Sequence, residues 1–172
     1  PVAPETPEDE ALAGPYAQRA IRRITGADER TTYPLVHQSI YSVHQRVAVR
    51  FRQGRVLLAG DAAHVNNPLG GFGLNSGIHD AISLGQALAR VVKGEEGDEA
   101  LERYNRQRQQ ANVAYVQELS VRNKKNLEEK DPALRAQRMH ELRAVCADPV
   151  KAREYLLNSS MINSIRRAQS VA

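Results

Sequence analysis

The chain contains no tryptophan, only two phenylalanines and a single cysteine in 172 residues. With so few large aromatics, the core is expected to rest on Leu, Ile, Val and Ala. Cys146 alone excludes an intrachain disulfide and a cluster of metal thiolates, a usage that fits a reducing cytoplasm. No apolar run approaches the roughly eighteen residues of a membrane span, and no signal peptide is recognisable, so neither membrane nor export is expected. An excess of one charge is also missing. The net charge is +4, but 24 basic and 20 acidic residues are interspersed, as in "GDEALERYNRQRQQ" and "NKKNLEEKDP". Such mixing marks solvated helix faces, and the short basic segments lack interleaved aromatics, so no nucleic-acid partner is expected. An initiating Met is absent too. The sequence opens on Pro1, which suggests a piece of a longer protein, with processing of a mature chain as the alternative.

What remains is an ordinary globular composition, 41% hydrophobic and 26% charged, long enough for one domain with a core. Leu12, Tyr16, Ala20 and Ile24 recur at four-residue steps and predict a helix from Glu8 to Thr25, stopped by Gly26. "TTYPLVHQSIYSVHQRVAVRF" is rich in β-branched and aromatic residues and predicts one or two strands between Leu35 and Phe51. Gln53-Gly54 reads as a tight turn, and Arg55–Gly60 as a nearly all-apolar strand buried on both faces. Ile78, Ala81, Ile82, Gly85, Leu88, Ala89 and Val92 form one helical stripe, with Asn75 or Ser76 as the cap and "KGEEGD" as the stop. A second helix is expected over Asp98–Glu129, with Leu101, Tyr104, Arg108, Ala111, Tyr115, Leu119, Arg122 and Asn126 along one partly exposed side. Two further helices are predicted to start at the Asp131-Pro132 and Asp148-Pro149 cap pairs.

The stretch "RVLLAGDAAHVNNPLGGFGLNSGIHDA" carries the chemistry. Gly70, Gly71, Gly73 and Gly77 precede or open a helix, whose unpaired N–H groups suit an electron-rich ligand. Asp61 directly follows the strand, where its carboxylate could accept hydrogen bonds from hydroxyls or merely cap a turn. A phosphate loop is excluded, because no Lys-Ser or Lys-Thr follows the glycines. The dinucleotide fingerprint is excluded as well: Ser76 stands where the third glycine belongs, and ten positions separate Gly60 from Gly70. His64 lacks zinc-site company and reads as structural. Ser76 has no hydrolase context, and nothing around Cys146 activates a thiol. The residues therefore supply no acid–base or nucleophilic constellation, and any reaction needs a cofactor.

Gly60-Asp61-Ala62-Ala63-His64, Pro68, Gly70-Gly71, Gly73-Leu74-Asn75 and Asp80-Ala81 together resemble the second flavin-binding motif of the FAD-dependent aromatic hydroxylases. These are the single-component monooxygenases related to p-hydroxybenzoate hydroxylase, and the resemblance covers roughly residues 30–172, their C-terminal portion. It implies that Asp61 binds the ribityl chain of FAD and that Pro68 lies beside the isoalloxazine ring and the substrate. It further implies that Gly70, Gly71, Gly73, Leu74 and Asn75 follow the ring's pyrimidine side. The implied reaction uses NAD(P)H to reduce FAD, and O2 to form a flavin hydroperoxide that hydroxylates a phenolic or other aromatic compound. No catalytic side chain and no metal are implied, since the flavin carries the chemistry.

The family's N-terminal glycine-rich strand–helix unit and its central cofactor motif are absent here. The expected fold is therefore an α/β fragment, predominantly α-helical and incomplete as an FAD-binding fold. Its expected segments are a helical 1–30, a 31–97 segment of substrate-side strands with the last FAD motif, and a helical 98–172. The missing N-terminal portion is the implied partner, a homodimer stays open, and the fragment alone is expected to be inactive. A halogenase, epoxidase or dehydrogenase with the same motif is the alternative chemistry. A non-catalytic helical interaction module keeping a relic motif is the alternative class.

Overall fold

The computed structural model describes Val2 and residues 5–171, in two compact units divided between Ser42 and Val43. The glycine-loop segment and the C-terminal helices thus share the second unit.

In the first unit the expected helix is broken in two, α1 (Glu8–Ala11) and α2 (Gly14–Thr25). Pro15 starts α2 without costing a needed N–H, and Gly26, at φ 69°, ends it by donating to the Arg22 carbonyl at 2.8 Å. The following chain folds back on α2. Gln18 exchanges two hydrogen bonds with the Tyr33 backbone, at 2.7 and 3.0 Å.

The stretch that crosses from the first unit into the second holds far less strand than the sequence predicts. Of Leu35–Phe51, only β1 (Arg46–Val47) is paired, antiparallel to β4 (His64–Val65). β-Branched residues favour a strand only where a neighbouring ladder exists, and Val36 is 96% exposed. β2 (Arg52–Gln53) and β3 (Val56–Leu57) form a hairpin through a two-residue turn, with Gly54 at φ 58°. β3 is not the strand buried on both faces that its apolar run suggests: its recorded ladder partner is β2, and Val56 is 63% exposed.

A 3-10 turn (Gly60–Ala62) leads through β4 and the glycine loop into α3 (Phe72–Val92). Next come α4 (Glu99–Ala111), a π-helical segment (Asn112–Gln117) and α5 (Glu118–Glu128), continuous in direction. The chain ends in α6 (Pro132–Ala147), α7 (Pro149–Ser159) and α8 (Ile162–Gln169). The π segment adds one residue per turn and shifts the helical phase. Leu101, Tyr104, Arg108, Ala111 and Leu119 are buried as their stripe predicts, but within the π segment Val116 is buried in place of Tyr115, and Arg122 and Asn126 face solvent.

The core is more aromatic than composition suggests. Phe51 and Tyr104 centre one cluster with Ala63, Ala87, Ala100 and Leu101; Phe72 centres another with Val116, Leu119 and Met161. Alanines let α3 and α4 approach closely, while many larger aliphatics stay outside. The predicted apolar stripe of α3 is one of these outer faces: Ile78 (47%), Ile82 (53%), Leu88 (37%) and Val92 (85%) are exposed. The buried face is its other side, Phe72, Ser76, Asp80 and Ala87.

Candidate functional site

After β3 the chain reaches Gly60, whose φ of 62° allows the turn that projects Asp61. The Asp61 side chain is exposed and makes no hydrogen bond or ion pair among the described residues. Gly60 rests on α3 at Gly77, where an added Cβ would stand 3.2 Å from the Gly60 Cα. This close backbone approach seats the Asp61 corner against the first turns of the helix.

The corner is tied to the interior by Asp80, which is fully buried. Its Oδ2 accepts the Gly60 N–H at 3.0 Å and lies 2.8 Å from His64 Nε2; its Oδ1 accepts from Arg108 Nε at 2.7 Å. Asn66 Nδ2 stands 3.4 Å from the other His64 nitrogen, an arrangement in which Nδ1 accepts and Nε2 donates to Asp80. Burial alone would raise the Asp80 pKa. The His64 hydrogen bond, the Arg108 charge and hydrogen bond, and the Gly60 N–H together hold it below the ordinary carboxylate value.

The seam between α3 and α4 continues this pairing. Arg108 Nη2 reaches Ser76 Oγ at 3.2 Å, Ser76 Oγ donates to Asn112 Oδ1 at 2.8 Å, and Asn112 Nδ2 donates to the Arg108 carbonyl at 3.0 Å. Ser76/Asp80 and Arg108/Asn112 are both i, i+4 pairs, so each helix presents two polar groups on one face. Sequence reasoning missed this cluster. The signal was available as polar i, i+4 pairs opposite an apolar stripe, but it requires knowing which helices meet.

The loop before α3 is pinned from the other side. Asn67 Nδ2 donates to Gln45 Oε1 at 2.6 Å, and Gln45 Nε2 to Ser120 Oγ at 2.6 Å. Gln117, in the π segment, donates to Asn66 Oδ1 at 2.5 Å. Pro68 is exposed at the crest of this loop, and its carbonyl accepts the Gly71 N–H at 3.1 Å. Gly70 adopts φ 105°, and a Cβ there would collide with the Phe72 ring. Gly71, at φ 67°, is the residue that opens α3; Asn75 and Ser76 lie within the helix and do not cap it. The glycine loop turns the chain directly into the helix, four residues earlier than cap chemistry suggests. Asn75 donates to the Gly71 carbonyl at 2.7 Å.

No side chain caps α3, and its first turn holds no acidic residue. The N–H groups of that turn are therefore available to an electron-rich ligand. Gly73 is half-buried, while Leu74 (77%) and Asn75 are exposed. The seven candidate residues follow one another along the chain, from an exposed carboxylate at Asp61 through an exposed loop at Pro68 to the glycine-rich entry into α3 from Gly70 to Asn75. The set fits a ligand with hydroxyls at one end and an electron-rich ring edge at the other, as a flavin has. Among the described residues, no group of three or more His, Cys, Asp or Glu could hold a metal ion.

Residues 3–119 match the family described as FAD binding domain. Para-nitrophenol 4-monooxygenase of Pseudomonas sp. (strain WBC-3) is 34% identical over 164 residues, covering 92% of this chain but 41% of its own length. A 3-(3-hydroxy-phenyl)propionate/3-hydroxycinnamic acid hydroxylase of Mycolicibacterium gilvum is 38% identical over 62% of this chain and 18% of its own. The crystal structure of p-nitrophenol 4-monooxygenase from Pseudomonas putida DLL-E4 superposes with a TM-score of 0.73 at 34% identity, over 91% of this chain and 42% of that one. The chain therefore spans about two fifths, or less, of these relatives, and it belongs to the family described as FAD binding domain.

Proposed function

We propose that this chain is the C-terminal part of an FAD- and NAD(P)H-dependent monooxygenase that hydroxylates a phenolic or other aromatic compound with O2. The Gly60–Asp61 corner carries the reading: an exposed carboxylate with no hydrogen-bond or ion-pair partner among the described residues, seated against the opening turns of a helix that no side chain caps. In this reading Asp61 accepts hydrogen bonds from the ribityl hydroxyls. Pro68 stands beside the isoalloxazine ring, where the aromatic substrate meets it. Gly70, Gly71 and Gly73 let the backbone pass close to the ring, and the N–H groups of Leu74 and Asn75 face its N1 and O2 edge. A helix N-terminus favours negative charge at that edge. The bound flavin supplies the oxygen activation, and the chain's residues bind and orient it.

The rest of the flavin site then belongs to the portion of the relatives' length that this chain does not span. The exposed stripe Leu74, Ile78, Ile82, Leu88 and Val92 supports this, because contiguous apolar faces of that kind are normally covered. A cytoplasmic location accompanies the reading. No helix of the described residues is long and apolar enough to cross a membrane.

The test is phenol-stimulated NAD(P)H oxidation by the full protein, with oxygen from isotopically labelled O2 recovered in the product. Oxidation that no phenol stimulates, or product without label, would sink the reading. The chain expressed alone is expected to hold little FAD. Purification as a yellow protein with stoichiometric flavin would overturn the claim that it carries half a site.

A further inference from the structure

We propose that Asp80 is the positioning residue of the flavin-facing corner: anchored by His64 and Arg108, its buried carboxylate grips the Gly60 N–H and so fixes where the Asp61 carboxylate stands. This rests on the reading of Asp61 as a ribityl ligand. Asp61 has no side-chain anchor of its own among the described residues, so its position is set through the backbone. The Asp80 side chain reaches that backbone at the residue directly before Asp61, at 3.0 Å. Gly77, one helical turn before Asp80, presses on the same residue and blocks a slide along the helix.

The two Asp80 oxygens have separate tasks. Oδ1 takes Arg108, while Oδ2 takes Gly60 and His64. All three neighbours present donors, and only an ionised carboxylate accepts on both sides. In an Asp80→Asn variant the amide NH2 must face either Arg108 or the Gly60–His64 pair. Either orientation sets donor against donor. The side chain keeps its size, but the clamp on Gly60 loosens and Asp61 with it. The same carboxylate on a surface helix would be a solvated charge; here it is fully buried and bonded to these three partners.

The experiment measures FAD dissociation constants, by quenching of flavin fluorescence, in the full protein carrying this chain. The set is wild type, Asp61→Ala, Asp80→Asn and the double variant, with the bound flavin's absorption spectrum recorded for each. Asp80→Asn is expected to weaken FAD binding about tenfold or more, the loss typical of a hydrogen bond involving a charged group. In the Asp61→Ala background the same substitution is expected to add almost nothing, because its effect passes through Asp61. Equal losses in both backgrounds would mean that Asp80 merely supports the fold, and unchanged affinity in Asp80→Asn would remove it from the site; either overturns the proposal. Should Asp80→Asn not fold, His64→Gln keeps an N–H donor to Asp80. It is expected to give a smaller loss with the same dependence on Asp61, and a loss independent of Asp61 overturns the proposal. Wild-type protein that takes up no FAD would instead remove the flavin reading itself, and unchanged affinity in Asp61→Ala would remove Asp61 from the site.

Discussion

Two helix pairs in the second unit are held by opposite means. The α3–α4 seam buries Ser76, Asp80, Arg108 and Asn112 in one bonded cluster, with Ala87 and Ala100 bringing the helices close. The α6–α7 hairpin buries no residue at all. It leaves Leu134 (43%), Met139 (51%) and Leu156 (62%) exposed. Its helices begin where Asp131 accepts the Ala133 N–H at 2.8 Å, and where Asp148 accepts those of Val150 and Lys151 at 2.9 and 3.2 Å. One pair depends on tertiary partners, the other on chemistry within a few residues of its own start. The Gly60–Asp61 corner of the candidate site is tied to the first pair through Asp80 and Gly77, so a shift in α3 is transmitted to it.

The sharpest way to break the comparison is to remove one member of the buried cluster. Arg108→Met leaves Asp80 as a buried carboxylate short of its cation, at an expected cost of about 3–5 kcal/mol. Arg138→Met, on α6, removes a partly exposed pair with Glu129 at 3.7 Å and a long hydrogen bond to the Asn126 carbonyl at 3.4 Å, and should cost within about 1 kcal/mol. Urea unfolding of both variants measures the contrast, and equal losses would erase it. Acid sharpens it further. The Asp80 pKa is depressed on folding, so its stabilisation is fully present above the unfolded carboxylate value of about 3.9 and is lost as pH falls below that, through the lower folded value. The stability gap between wild type and Asp80→Asn should therefore be constant from neutrality to about pH 5 and narrow below about pH 4. A gap that narrows near neutrality would contradict the ionised Asp80 on which the cluster depends.

Smaller in effect is Gly77→Ala. The new methyl would meet the Gly60 Cα at 3.2 Å, and backbone cannot swing away as a side-chain tip can. An overpacking cost of about 1–3 kcal/mol is expected, together with weaker FAD binding in the full protein. Gly85→Ala on the same helix meets no atom within 4 Å and serves as the control, expected to be neutral or stabilising. Matching losses in the two variants would show that the close approach carries no weight.

These contrasts also mark what the sequence made legible. Gly26 as a stop and the Asp131-Pro132 and Asp148-Pro149 starts were readable because each is written in a few adjacent residues, as is the motif that carried the family resemblance. The buried cluster was not. An apolar stripe is assumed to face the core, and on α3 it selects Ile78, Ile82 and Val92, which are outside. The inner face sets polar Ser76 and Asp80 among apolar Phe72 and Ala87, and the polar partners lie 28 to 36 positions away, Asp80 with Arg108 and Ser76 with Asn112. The π segment hid the switch from Tyr115 to Val116, because a stripe extrapolated at a constant period cannot register an inserted residue. The strands failed for a related reason. A paired strand is a property of two segments, and most of residues 35–45 have none beside them.

The smallest predicted effect tests the hairpin's self-sufficiency. Asp148 satisfies two of the four orphan N–H groups at the start of α7, and the backbone bonds from Lys151 and Val150 hold its carboxyl below the ordinary value. Asp148→Ala removes both bonds but uncovers no apolar group, because α7 buries none. Amide exchange in the first turn of α7 should accelerate several-fold, while exchange in α3 and α4 and the global unfolding midpoint stay unchanged. Lowering the pH below about 4 should reproduce the exchange pattern in wild type, since a protonated carboxyl accepts less strongly. If Asp148→Ala instead loosens the Asp80–Arg108 seam, the hairpin is coupled to the site and the two regions are one cooperative structure held by the same means.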